Sequence, residues 1–428
     1  MTLREIFRPL VKYKVTIMLD GSRRYAFQKV LAVTRTSTIL DSVVEVDLRE
    51  RNSMQNSRRV HRLPYLFSPA LFTLVNATPT MPQLHTIRLS AIFLPRTYLY
   101  GILSSPYLIH LILDAIQMPK MRKLPLSPPK LRKLTIMAMF SWEAIEPLIT
   151  QLVTSLEYLE LQGCEFRSPG QLQLPSFPHL HEIRYDQNYF GLSDNMAVLN
   201  ALFHASQVTH LRLFGYVGFL RINASLKSLE HLSVEDVMLT EGVLGTNPFP
   251  RLRSLSIRCC QPWGLRYHLT VSSFLRDYFP GITSLHLEMP WSLRNFALVL
   301  ARSQHSVQAL ELSVVTGYGL DWEERKLRIH EVEIPTDYLG DDAALLGVLQ
   351  SIKLDVTQTV YRLEESILVC TRWIGDKVLP SVTGLGGSNL RYIDTSFNQP
   401  EAGIEGGRVI SKRWIKPPNE DWQLEKCL

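Results

Sequence analysis

With 428 residues the chain is longer than one ordinary globular core, so it must be several domains or an elongated repeat array. Hydrophobic residues at 46% against charged residues at 20% exclude wholesale disorder. The 46 Lys plus Arg exceed the 40 Asp plus Glu by a formal charge of +6, too small an excess for this length to point to nucleic acid.

At the N-terminus, Arg4, Glu5, Arg8, Lys12, Lys14 and Asp20 interrupt any apolar core that a signal peptide would need. No later stretch of about 18 residues is free of polar breaks, so no membrane partner is expected and the chain reads as cytoplasmic or nuclear. The sequons Asn76-Ala77-Thr78 and Asn223-Ala224-Ser225 then carry little meaning.

One pattern organises most of the chain: an apolar residue, then apolar residues three and five positions later. It occurs as Leu84/Ile87/Leu89, Leu108/Leu111/Leu113, Leu131/Leu134/Ile136, Leu156/Leu159/Leu161, Leu180/Ile183/Tyr185 and Val208/Leu211/Leu213. It continues as Leu229/Leu232/Val234, Leu252/Leu255/Ile257, Ile282/Leu285/Leu287 and Val307/Leu310/Leu312. Weaker members are Val43/Val46/Leu48, Leu349/Ile352/Leu354 and Leu390/Ile393/Thr395. Between Leu84 and Val307 the first positions are 21 to 30 residues apart, close to the period of leucine-rich repeats. Three residues after a triad, where that repeat favours Asn or Cys, stand Cys164, Asn188, Cys260 and Asn398. The five cysteines, which also include Cys259, Cys370 and Cys427, are odd in number and lack metal-ligand spacing, so neither a disulfide framework nor a metal is expected.

Between the triads the period changes to that of helices. Ile145, Leu148, Ile149, Leu152 and Val153 share one helical face, as do Leu293, Phe296, Ala297 and Leu300. Shorter cases are Met196/Leu199/Phe203, after a possible cap at Asp194, and Phe274/Leu275/Tyr278. Prolines at 82, 106, 129, 178, 250 and 280 end the preceding segment and set an extended approach to the strand. The acid-free stretch from Lys120 to Lys133 reads as solvated surface. The rhythm breaks over Trp322–Asp342, where an inserted strand or hairpin is expected, and over 360–379, which has a helical pattern before a glycine-rich loop after Gly384. Trp414 and Trp422 lie among basic residues and prolines that fit an end cap.

The fold expected is α/β: a leucine-rich-repeat solenoid with a curved parallel sheet on the concave side and helices and irregular turns on the convex side. Its organisation is an N-terminal cap region over 1–42, a solenoid over 43–398 with an insertion near 313–346, and a C-terminal tail or cap over 399–428.

With these rows and the Phe-Pro pairs at 177–178, 249–250 and 279–280, the chain resembles, over residues 6–398, the F-box and leucine-rich-repeat proteins abundant in mushroom-forming fungi. The layout carries the likeness. Phe7-Arg8-Pro9-Leu10-Val11-Lys12-Tyr13-Lys14-Val15 is followed by Ser22-Arg23-Arg24 and a helix with Phe27, Val30 and Leu31, leading to Val43-Val44-Glu45-Val46-Asp47-Leu48. The resemblance implies that the repeats recognise a substrate for an SCF-type (cullin) ubiquitin ligase, with an F-box docking to a Skp1-type adaptor. An F-box opens on Leu-Pro-x-Glu, and this chain begins where such a domain ends, so the 1–42 region is read as coming after a missing or degenerate one. The adaptor is expected as a partner only if an F-box lies upstream. The alternative is a repeat scaffold with no link to ubiquitin.

On the concave sheet the outward central positions are Asp47, Arg88, Ile112, Thr135, Glu160, Arg184, Arg212, Ser233, Ser256, His286, Glu311 and Lys353. Flanking them are Tyr158, His210, Phe214, His231, Glu235 and Arg258, and Arg and aromatic groups so gathered suit a protein interface. The candidate binding residues are therefore Tyr158, Glu160, Arg184, His210, Arg212, Phe214, His231, Glu235, Arg258 and His286, with a protein on the concave face as partner. Charge reversal at Arg184 and Arg212 is expected to weaken capture without unfolding.

No enzymatic constellation is expected. His85, His110, His181, His210, His231 and His286 fall at repeat positions between leucines, His181-Glu182 and His330-Glu331 lack the second His of a zinc-protease helix, and Gly384-Leu385-Gly386-Gly387-Ser388 lacks the Lys of a phosphate loop. No catalytic residue and no cofactor is assigned.

Overall fold

The last two members of each apolar triad are two residues apart, so on a strand they point to one side while the residue between them points to the other. In the computed structural model every fully described triad forms such a strand. The structure describes residues 13–18, 23–35, 41–49, 68–90, 94–114, 130–165, 174–186, 196–214, 226–235, 249–258, 281–289, 309–316, 351–358, 392–399, 408–415 and 423–425. Expectations outside these residues concern Cys259, Cys260, Cys370, Cys427, Asn188, His330-Glu331, the helices around 274–278, 293–300 and 360–379, the 322–342 insertion, the Gly384 loop, Trp422 and the first part of the basic stretch. The side chains of Cys164 and Asn398 lie outside them as well.

The chain divides into two compact units, Met1–Val208 and Thr209–Leu428. In the first, β1 (Tyr13–Met18), β2 (Val43–Arg49), β3 (Thr86–Ser90), β4 (His110–Asp114), β5 (Lys133–Ser141), β6 (Tyr158–Glu165) and β7 (Glu182–Asp186) pair in chain order, all parallel. The register obeys the repeat: Ile87 lies beside Leu111, Leu111 beside Leu134, Leu134 beside Leu159 and Leu159 beside Ile183. Leu89, Leu113, Ile136, Leu161 and Tyr185 form the second buried row, and the leading members Leu84, Leu108, Leu131, Leu156 and Leu180 are buried too. Each inward side chain is thus covered by the repeats on either side, and burying one contributes about 1.5–3 kcal/mol.

Among the described residues, the return segments of this unit hold α1 (Arg23–Arg35), α2 (Ser68–Ala77), α3 (Arg96–Leu103), α4 (Trp142–Gln151) and α5 (Met196–Ala205), with a 3₁₀ turn at Thr78–Thr80. The Ile145 periodicity appears as α4, which buries Trp142, Ala144, Ile145, Leu148 and Ile149 and packs on β5. The Met196 pattern appears as α5, burying Val198, Leu199, Leu202 and Phe203. Among the described residues the parallel ladder starts at Tyr13, inside the region read from sequence as a cap. β1 pairs with β2 through Val15 beside Val46 and Ile17 beside Leu48.

In the second unit β8 (His210–Phe214), β9 (His231–Glu235), β10 (Ser254–Arg258), β11 (Ser284–Met289), β12 (Ala309–Thr316), β13 (Ser351–Gln358) and β14 (Tyr392–Gln399) are again parallel and sequential. The weak triads fall into step: Ile352 sits between Leu310 and Ile393, and the polar Thr395, level with Leu354, is buried. Then the chain reverses. β15 (Arg408–Ile415) runs antiparallel on β14 and β16 (Gln423–Glu425) antiparallel on β15, with buried Trp414 opposite Ile393. The fold is a leucine-rich-repeat solenoid, identified by this ladder of parallel strands whose register repeats with the sequence period.

Candidate functional site

The register fixes which outward residues are neighbours. In the first unit one row runs Glu45, Thr86, His110, Lys133, Tyr158, Glu182; the central row runs Thr16, Asp47, Arg88, Ile112, Thr135, Glu160, Arg184; and a third runs Met18, Arg49, Ser90, Asp114, Met137, Gln162, Asp186. Adjacent strands lie about 4.8 Å apart, so long polar side chains reach across to one another.

At β4–β7 they converge on Glu160, which is only 7% exposed. Its Oε2 accepts from Tyr158 OH at 2.8 Å and from Thr135 Oγ1 at 3.2 Å, while Oε1 accepts from Gln162 Nε2 at 2.8 Å and faces Arg184 Nε at 3.1 Å. A sunken carboxylate is tolerated because these donors replace the water it has lost. His110 Nε2 meets Thr135 Oγ1 at 3.1 Å, and its ring stands edge-on to Tyr158 with centroids 6.4 Å apart. Because the Thr135 hydroxyl donates to Glu160, His110 must donate to Thr135, which fixes the Nε2–H tautomer. Burial holds the His110 imidazole below its usual value, helped by Lys133 and opposed by Glu160 and Glu45. Burial first, and then the Glu160 carboxylate, raise the Tyr158 phenol above its ordinary value.

His, Thr and Glu are the residue types of a hydrolytic triad, but here they are joined in the wrong order. The hydroxyl proton is committed to a carboxylate already stabilised by two other donors and the Arg184 ion pair, so nothing activates Thr135 as a nucleophile. Gly163, with φ of 68°, comes directly after Gln162 in β6, and at that dihedral any other residue would be strained.

Towards the other end of the same face, Arg49 Nε lies 2.8 and 2.7 Å from the two oxygens of Asp47, and Arg88 Nη2 donates to Asp114 Oδ2 at 2.9 Å. Ser90 Oγ also donates to Asp114, and Lys14 Nζ pairs with Glu45 at 2.7 Å. The Asp47 hydrogen bond raises the Arg49 guanidinium above its ordinary value, and the fields of Asp114 and Glu45 act in the same sense.

In the second unit the His210 and His231 rings stack at 4.2 Å and 16°, with His210 Nδ1 2.9 Å from Thr209 Oγ1. Arg258 pairs with Glu235 at 2.9 Å, and His286 Nδ1 meets Ser256 Oγ at 3.2 Å. Arg212 is exposed in the central row, and Phe214 is half-buried.

The structure therefore brings Tyr158, Glu160 and Arg184 together in one unit, and His210 with His231 and Glu235 with Arg258 in the other. Arg184 is held by Glu160, so a carboxylate in its place would stand beside another, buried one; Arg212 is the cleaner probe of binding. Sequence reasoning did not single out His110, Asp114, Arg49 or Gln162 as site residues. A signal was present: aligning the triads sets Glu160 directly beside Arg184, and i+2 neighbours on a strand share a face. Among the described residues no group of three or more His, Cys, Asp and Glu could hold a metal ion, and no helix is long and apolar enough to cross a membrane.

No family model matches this chain, and no curated protein matches it. Among solved structures, the crystal structure of the TLR13–ssRNA13 complex aligns over 92% of this chain at 14% identity and a TM-score of 0.30. The alignment spans 40% of that longer chain.

Proposed function

We propose that the chain is a protein-binding repeat module whose polar strand face is the binding surface, serving as the substrate-recognition part of an SCF-type ubiquitin ligase. One observation carries the binding part: outward rows of Arg, His, Tyr and carboxylate side chains repeat on a common register, opposite a sealed aliphatic face. Such a face offers many polar contact points on a stiff support, which suits recognition of a folded or extended protein. The ligase part is supported by the layout of the N-terminal region and the Phe-Pro pairs. Phe177 and Phe249 of those pairs are buried, consistent with a structural role for the motif.

Affinity purification of the full chain with mass spectrometry, beside Arg212→Glu, tests the reading. The expected outcome is a protein recovered with the native chain and reduced about tenfold or more by Arg212→Glu, the loss of a central interface arginine. Co-recovery of a Skp1-type adaptor and a cullin supports the ligase role, and a partner without them supports a scaffold independent of ubiquitin. Equal recovery by native and variant chains removes the strand face of the second unit as the binding surface.

A further inference from the structure

In four ion pairs of the strand face the carboxylate is the more buried partner and the cation the more exposed. Arg49 is 41% exposed above Asp47 at 0%, Lys14 is 53% exposed above Glu45 at 27%, and Arg184 and Arg258 likewise exceed Glu160 and Glu235. Arg88 and Asp114 are equally exposed. What an approaching molecule meets is therefore mostly guanidinium and ammonium, although the pairs are neutral in sum.

From the asymmetry at Lys14 and Arg49, and from the position of Arg88 beside them, we infer that the β1–β3 end of the first unit docks an acidic stretch of polypeptide in extended form. The inference rests on the protein-binding reading above and names the chemistry of the partner. Each guanidinium spends Nε and Nη2 on its own face, and Nη1 of Arg49 and of Arg88 has no partner among the described residues. The fork remains able to take a carboxylate, already oriented by the one beneath it. Arg49 and Arg88 stand on adjacent strands, one alternate position apart, which puts their Cα atoms about 8 Å apart. Carboxylates at i and i+2 of an extended chain lie about 7 Å apart on one side, so an acid-x-acid segment matches the pair.

A nucleic acid is the weaker fit. Its attraction to proteins comes from an uncompensated positive field that releases counterions, and here a paired carboxylate cancels each charge at a distance. What survives is short-range, directional hydrogen bonding, which favours carboxylates presented one by one.

The probe is a short fluorescein-labelled peptide of alternating Glu and Ser, compared with the same peptide carrying Gln for Glu and with a single-stranded oligonucleotide of equal charge, by anisotropy on the full chain. Binding of the acidic peptide alone is expected, weakened about fivefold to tenfold in K14Q/R88Q, the loss of two charge-assisted contacts, and unchanged in K227Q, at an exposed residue outside the strands. Arg49 is kept because it covers Asp47. If K14Q/R88Q does not fold by circular dichroism, Lys14→Gln alone, on a largely exposed side chain, carries the test with a smaller expected loss. Equal binding of the Gln peptide, no loss in these variants, or tighter binding of the oligonucleotide overturns the inference. Protein capture that survives K14Q/R88Q but fails in R212E overturns it too, while leaving the protein-binding reading standing; absence of capture by any route removes both.

Discussion

Glu160 shows how a single side chain organises its surroundings. Four strands contribute to its network, since His110, Thr135, Glu160 and Arg184 come from consecutive repeats. The most pH-sensitive member is His110. Its folded value lies below the usual value of about 6.5, so the unfolded chain takes up this proton first. Stability from the neutral imidazole is complete above the unfolded value and is lost as pH falls below it towards the folded one. The urea midpoint of the native chain is expected to drop more between about pH 7.5 and about pH 5.5 than that of His110→Gln, which keeps a donor to Thr135. Equal drops would show that His110 is not the titrating group. At this scale the sequence was partly legible. Tyr158, Glu160 and Arg184 were found by counting from the leucines, but their mutual engagement was not, because a one-dimensional row does not show which side chains lean together. His110 and Asp114 escaped because repeat grammar explains a polar residue between leucines without asking what it touches.

Elements were easiest to read where both periods were strong. The rows from Leu84 to Ile282 and the α4 pattern stand out because three or more aliphatic residues recur at fixed offsets. β1 did not: Val15 and Ile17 alternate, yet Lys12 stands where the leading apolar residue of a triad belongs. The α2–α3 pair was also missed, and its packing has a local cause. Gly101 of α3 faces α2, where a Cβ would overlap Val75 Cγ1, the tip of a stiff β-branched side chain that is 4% exposed. Glycine costs a helix about 1 kcal/mol against alanine, so its use here reflects close approach. Gly101→Ala is expected to destabilise by about 1–3 kcal/mol through overpacking, and adding Val75→Ala to recover part of it. Additive losses in a double-mutant cycle by urea unfolding would break the link between the two positions.

At the scale of the molecule, each repeat's core is closed by its neighbours, so stability is a sum of local terms, and the chain falls into two compact units. Leu134→Ala in the first unit removes a fully buried rung and is expected to cost about 2–5 kcal/mol. Monitored by circular dichroism in urea, it should lower one unfolding transition and leave another in place; a single transition moving as a whole would show that the units unfold together. The binding and ligase readings belong to this scale as well, and the repeat architecture was legible in the sequence where they were not, because aliphatic spacing dictates stacking whereas a partner leaves no spacing behind.

The chain reversal after β14 reaches beyond capping. A run of parallel strands would otherwise end in a template onto which the first strand of another molecule could dock head-to-tail, and copy after copy would polymerise into a filament. Among the described residues that edge is instead a strand of three residues, reached through two reversals of the chain, and it offers too little backbone to hold such an addition.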